Sequence, residues 1–261
     1  MSVLLAVLAV VVVILLMLRL FAADVYDAVI VWMTARWYQA VFQRLSKGDR
    51  ILDVGIGTAT ALVRNKAELL DRRLSVVGID YEAAYVRKAE AVLRAESLWR
   101  PAPAGTEGYR QGEFYCHVLE RSIYDNLSDL CFQVGDEAFT GEVPKEVPEE
   151  MRFDAVYFSG SFSVLPDPPA ALRAVLPLMK RNGRVFITQT FQKRSSPVTA
   201  FLKPLLKYIT TIDFGQLVTE ADLERLISSA GCFEVLENKP IPGSVSTQLQ
   251  TARLVILKAA S

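Results

Sequence analysis

The chain opens on an unbroken apolar run. Val3 to Leu18 contains no polar residue, and after Arg19 the run resumes as Leu20, Phe21, Ala22 and Ala23. With the Arg19 head lifted toward lipid headgroups, the stretch reaches the ~20 residues that a membrane-spanning helix requires. A cleaved signal peptide needs basic residues ahead of its apolar core and a small-x-small end, and neither is present. A buried core helix is the remaining alternative. The pattern predicts an uncleaved anchor over residues 1–23. Residues 24–46 then mix Val25, Ile30, Val31, Trp32, Val41 and Phe42 with Asp27, Arg36, Gln43 and Arg44, an amphipathic helix or two short ones. This piece acts as a linker or cap, lying on the bilayer or folding over the active site.

From residue 47 onward the period alternates. Short β-branched or apolar runs at 50–54, 74–79, 114–119, 153–158 and 184–190 are separated by helical patterns over 59–70, 83–99 and 169–179. Thr219-Glu220-Ala221-Asp222 matches a capping box, and Gly231 stands where the helix it opens should stop. Two further strands, 233–237 and 253–258, follow without an intervening helix, so they pair antiparallel or lie apart. The expected fold is an α/β three-layer sandwich over 47–261, with a mostly parallel seven-stranded sheet containing one antiparallel strand. Residues 126–152 read as an insertion, with a short strand possible at 130–134, and Glu142 to Glu150 as an exposed loop.

Composition narrows the chemistry. Lys and Arg number 29 and so do Asp and Glu, so the electrostatic footprint of sequence-independent nucleic-acid binding is missing and no nucleic-acid partner is expected. His117 is the sole histidine, and Cys116, Cys131 and Cys232 show no paired spacing. A metal site or a Ser-His-Asp triad therefore has little material, and no metal is expected. His117 itself sits in mid-strand and reads as a packed structural residue. Arg19, Arg36, Arg44, Lys47 and Arg50 all follow the apolar run with no basic residue before it, which orients a single-pass membrane protein with its catalytic domain in the cytosol. Oligomeric state is not encoded in any readable way.

The candidate site begins at the first strand-to-helix turn, Asp53-Val54-Gly55-Ile56-Gly57-Thr58-Ala59-Thr60. Gly55 and Gly57 permit a sharp turn and close backbone approach to a ligand. A dinucleotide fingerprint would carry a third glycine where Thr60 stands, and Asp53 would repel a pyrophosphate. The same acid suits a ligand with a cationic amino-acid end. The second strand ends at Asp80 and Tyr81, the place for a carboxylate that accepts from a ribose diol. Two places compete for the base: Ser122 and Ile123 after the third strand, favoured by chain order, and Asp136 in a Gly-Asp pair. The fourth strand runs into Ser159-Gly160-Ser161-Phe162.

Ile51 to Ala61 resembles motif I of the class I S-adenosylmethionine (SAM) dependent methyltransferases, whose pattern is acidic-x-Gly-x-Gly; its usual third small residue falls here on Thr58 and Ala59. Gly78-Ile79-Asp80, Phe153-Asp154-Ala155-Val156 and Lys180-Arg181-Asn182-Gly183 match later segments of that family in order, over residues 45–260. The resemblance implies SAM as cofactor, held by Asp53, Gly55, Gly57, Thr58, Asp80, Tyr81, Ser122, Ile123, Asp136, Ser159 and Gly160. It places a small-molecule acceptor near Tyr26, Trp37, Tyr38, Ser161, Phe162, Gln189 and Phe191. No catalytic base stands out among Tyr157, Gln189, Asp213 and the aromatic residues of 26–38. Residues 201–209 suit a lid or a second membrane contact. The anchor suggests an apolar or membrane-associated acceptor such as a lipid, quinone or thiol. The competing readings are a nicotinamide-dependent oxidoreductase on a related fold and a non-catalytic scaffold at the membrane.

Overall fold

The computed structural model describes residues 30–101, 114–132, 146–193 and 219–260. The anchor expected at 1–23, Tyr26, Asp136, Asp213 and the segment 201–209 lie outside these residues. Among the described residues no helix is long and apolar enough to cross a membrane.

Seven strands form one sheet: β1 (Arg50–Val54), β2 (Ser75–Asp80), β3 (Cys116–Glu120), β4 (Phe153–Ser159), β5 (Met179–Gln192), β6 (Phe233–Pro240) and β7 (Gln250–Ala259). Their order is β3-β2-β1-β4-β5-β7-β6. Every pairing from β3 to β5 is parallel, whereas β7 runs antiparallel to both β5 and β6. The expected mixed sheet with one reversed strand is therefore present. All five residues of β1 and all six of β2 are buried, because helices cover both faces of the sheet centre. On one face the core includes Leu52, Val156, Phe158 and Ile187 with α5 (Pro168–Val175) and α6 (Glu220–Ala230). On the other, Ile51, Val76, Ala155 and Phe186 pack against α1 (30–42), α2 (Thr60–Val63) and α4 (Ala83–Ala95).

The amphipathic segment is a single helix over its described part, and it folds onto the sheet. α1 buries Met33, Trp37, Tyr38, Val41 and Phe42 in the same cluster as β1, with Trp32 left 46% exposed. The helix expected over 59–70 is instead two, α2 and α3 (Lys66–Asp71). The reason is Asn65, whose amide donates to Ala61 O (3.1 Å) and to Ala35 O (2.9 Å), so it breaks the ladder while fastening α1 to this layer. The strand considered at 130–134 is replaced, as far as 132, by a 3₁₀ turn over Ser128–Cys131. Its Leu130 and Cys131 carbonyls accept from the buried Arg50 guanidinium (2.7 and 3.1 Å), as does Met151 O (2.6 Å). The Lys180–Gly183 segment, which precedes the strand expected at 184–190, lies inside β5 as a bulge: from Phe153 to Ala155 β4 advances two residues while β5 advances five, from Met179 to Arg184. The capping box is formed, with Thr219 Oγ1 accepting from Asp222 N and Asp222 Oδ2 accepting from Thr219 N (2.9 Å).

Candidate active site

The strand order reverses between β1 and β4, and the carboxyl ends of the strands around that switch point are where an open α/β sheet binds ligands. The first turn leaves β1 with Gly55 at φ 74° and Gly57 at φ 60°, both in the left-handed region that a side chain would strain. Space reinforces the requirement at Gly55, where a Cβ would come within 2.6 Å of Ser161 Cβ. Ala59, which opens α2, takes the same left-handed conformation at φ 55° without being glycine, a strain of the kind that gathers at functional turns. Gly55 N and Ile56 N donate to Ile79 O (2.8 and 3.2 Å), so the turn is bound to the end of β2.

Asp80 completes that junction. Its Oδ2 accepts from Gly57 N (3.0 Å) and its Oδ1 from Glu82 N (3.0 Å), while Tyr81 beside it is 79% exposed. Burial raises the Asp80 carboxyl above its ordinary pKa, and the two N–H donors oppose that shift. Arg121 N donates to Asp80 O (3.0 Å), which brings the residues after β3 to the same edge. Of these, Ser122 folds into a local turn, its N donating to Asp125 Oδ2 (2.8 Å), and Ile123 is buried in the core.

Asp53 has the most unusual surroundings. It is 1% exposed, its Oδ2 accepts from the Tyr38 hydroxyl (2.5 Å), and its Oδ1 is shielded from water without a hydrogen-bond partner. Burial lifts its carboxyl from 3.8 to about 7; the Tyr38 bond pulls the value back and the Asp80 charge pushes it up. Tyr38 stacks edge-on against Tyr157 (5.0 Å between centroids), whose hydroxyl pairs with Thr188 Oγ1 (2.8 Å). Burial raises both phenols above the usual tyrosine range. Asp53, Tyr157 and Thr188 are reached through the pairs Asp53↔Tyr157, Phe158↔Ile187 and Ser159↔Thr188, and strand alternation turns Ser159 to the same α1-covered face. Ser159 Oγ is buried there between the two phenols and moderates the rise of both.

Trp37 closes this face from above. Its ring carbon Cζ3 would lie 3.2 Å from a Cβ at Gly160, which has φ 72°, and its Nε1 donates to Ser244 Oγ (2.9 Å). Ser161 donates to Val54 O, tying the end of β4 to the β1 turn. The remaining acceptor candidates fall elsewhere. Phe162 and Phe191 are 1% exposed within the opposite core, Phe162 edge-on to Phe158 (5.4 Å), and Gln189 is buried with Oε1 unpartnered. His117 is buried with no partner at either nitrogen, and burial together with the Arg50 charge lowers its pKa to about 4, which disfavours the imidazolium. Among the described residues no cluster of His, Cys, Asp and Glu is arranged to hold a metal ion. Sequence reasoning did not find Ser244, which arrives on a loop with no motif, nor the Tyr38–Asp53 bond, which links residues on separate elements.

The arrangement fits SAM. The glycine turn brings backbone to the sheet edge without side-chain cover, Asp80 offers a carboxylate at the neighbouring strand end, and Asp53 Oδ1 is a buried acceptor with unspent capacity beside them. A family model described as a methyltransferase domain matches residues 29–238, beginning at α1. The phosphatidylethanolamine N-methyltransferase of Cereibacter sphaeroides is 22% identical over 209 residues, covering 80% of this chain and 82% of that protein. Among solved structures, the [4+2]-cyclase SpnF superposes with a TM-score of 0.56 at 15% identity, covering 86% of this chain and 80% of that one. The mitomycin 7-O-methyltransferase MmcR gives 0.54 at 15% identity, with 88% of this chain spanning about half (54%) of MmcR. The O-methyltransferase NcsB1, solved with S-adenosyl-L-homocysteine and 1,4-dihydroxy-2-naphthoic acid, gives 0.51 at 16% identity, over 85% of this chain and 53% of that one. These similarities to solved structures carry the fold, and the family match carries the chemistry: the chain belongs to the methyltransferase-domain family, with SAM as its cofactor.

Proposed function

We propose that the protein methylates a membrane-associated acceptor, and that an amine-bearing phospholipid is the acceptor class. The observation that carries the choice of a lipid over a quinone or thiol is the similarity, over most of both chains, to a phosphatidylethanolamine N-methyltransferase. The apolar run Val3 to Leu18, read as a single-pass anchor with the domain on the cytosolic side, supports it by holding the enzyme where such acceptors are concentrated.

In this reading Asp80 receives the cofactor's ribose hydroxyls, the Gly55–Gly57 turn its amino-acid end, and Asp53 the ammonium of that end. Bound SAM would supply an electrophilic methyl group, the acceptor's lone pair taking the carbon in line as its bond to sulfur breaks and S-adenosylhomocysteine leaves. The work of the chain is to align the acceptor and exclude water. Trp37 over Gly160 and the buried Tyr38–Tyr157 pair do the second, since they form an apolar roof beside the β4 terminus. An acceptor ammonium must lose a proton before it can attack. The raised phenols of Tyr38 and Tyr157 are poor bases at neutral pH, so the proton leaves to solvent before the acceptor enters the site, and the rate should rise with pH.

The test is incubation of the full chain in detergent micelles with methyl-labelled SAM and a total lipid extract. Label in the phospholipid fraction is the expected result. Label confined to water-soluble products, or to quinones, would remove the phospholipid reading and leave the methyltransferase.

A further inference from the structure

We propose that Arg36 is the anion-binding residue of the acceptor site and takes the phosphodiester of a phospholipid headgroup; the inference rests on the lipid reading above. α1 presents three consecutive residues to three different tasks. Tyr38 reaches Asp53, Trp37 reaches Gly160 and Ser244, and Arg36 lies against the preceding residue of that same loop, Gly243. A Cβ at Gly243 would come within 2.7 Å of Arg36 Nη1, so the guanidinium rests on the bare backbone of the turn. Its other face is covered by Trp32, with Cζ 4.7 Å from the ring centroid. The group is thus held between an aromatic ring and a glycine, a preorganised cation.

The neighbouring cations of this edge are matched: Arg44 pairs with Glu237 (2.8 Å) and Arg253 with Glu220 (3.4 Å). Arg36 has no ion pair among the described residues, and its Nε–H is shielded from water without an acceptor. An unmet, desolvated guanidinium donor costs stability unless something fills it. Lys193 reaches the same loop from the end of β5, donating to Thr247 O (2.7 Å), also without an acidic partner among the described residues. The loop therefore meets two cations that have no acidic partner among the described residues. Trp37 touches both Gly160 and this loop, so an acceptor whose reacting nitrogen is at the β4 end would extend its anionic group toward Arg36. A phosphodiester a few bonds from an amine has that shape, and the planar Arg fork is suited to grip it.

The test uses the full chain in micelles, saturated with S-adenosylhomocysteine, with dihexanoyl-phosphatidylethanolamine and inorganic phosphate as separate probes. Binding is followed by tryptophan fluorescence, since Trp32 carries the guanidinium. The short lipid should bind, R36Q should weaken it by ten-fold or more, and R36K should fall between. S-adenosylhomocysteine affinity should be unchanged in both variants, which shows that they fold. In turnover the loss should appear in KM with kcat nearly kept. Equal lipid binding by R36Q and the parent would overturn the assignment. Inorganic phosphate binding through Arg36 with no lipid binding would overturn the headgroup and leave a free-phosphate site. Lipid binding through Arg36 without methyl transfer to it would uphold the anion site and refute the proposed acceptor.

Discussion

Replacing Tyr38 by Phe removes one hydroxyl and keeps the ring that packs on Phe42 (5.8 Å) and Tyr157 (5.0 Å). What is lost is the 2.5 Å bond to a carboxylate that is 1% exposed and whose other oxygen already lacks a partner. The cost should depend on the charge of Asp53. Well below pH 7 the carboxyl is neutral and an ordinary buried bond is forfeited, about 0.5–1.5 kcal/mol; well above it a bond to a charge is forfeited, about 1.5–3 kcal/mol. The parent itself has a signature: folded Asp53 holds its proton to about pH 7 whereas an ordinary carboxyl releases it near 3.8, so its contribution to stability is present at acid pH and is lost as pH rises through that window. A difference of about 1.4 kcal/mol between the two limits would move the midpoint up by about one unit in Tyr38→Phe. Denaturant unfolding of parent and variant at pH 5.5 and pH 8.5, without ligand, measures both terms. A penalty of the same size at the two pH values would refute the claim that the hydroxyl holds an ionising Asp53.

Other consequences are simpler to read. Asp80→Ala should weaken S-adenosylhomocysteine binding by about 1.5–3 kcal/mol in calorimetry, as expected for a lost charged hydrogen-bond pair, and unchanged affinity would place the ribose elsewhere. Gly55→Ala combines a left-handed backbone with a Cβ only 2.6 Å from Ser161 Cβ and should cost about 2–4 kcal/mol in unfolding together with cofactor binding. Arg50→Met leaves the carbonyls of Leu130, Cys131 and Met151 short of donors and should destabilise the fold by about 1–3 kcal/mol for each carbonyl left unmet, with cofactor affinity in the surviving folded protein kept. Thr219→Ala should cost about 1 kcal/mol through the lost cap, with no effect on binding, measured by the same two assays.

Much of the sheet could be read from the chain because its central strands are buried on both faces and so write continuous apolar runs bounded by turns. β1, Arg50–Val54, was expected with the bounds it has. Local chemistry was equally legible: the Thr219 box and the Gly231 stop depend on a few adjacent residues. The splitting of 59–70 was not, because Asn65 acts by reaching Ala35 on another helix. For the same reason the cofactor turn was legible and its environment was not. Gly55, Gly57 and Asp80 are neighbours in motif and strand order, whereas Tyr38, Tyr157 and Ser244 meet Asp53 and Trp37 only after folding. Phe162 and Phe191 show the converse, since they adjoin site residues in sequence and face the opposite core. Alternation along a strand separates neighbours to different faces.

The central claim is that this sheet edge holds an adenosyl cofactor at Asp53, Gly55, Gly57 and Asp80. Its most direct test is a calorimetric titration of the full chain in micelles with S-adenosylhomocysteine, and in parallel with NADH. The account predicts saturable one-to-one binding of the adenosyl ligand, abolished or much weakened in Asp80→Ala, and none of NADH. A folded protein that ignores S-adenosylhomocysteine, or that prefers NADH, would contradict it.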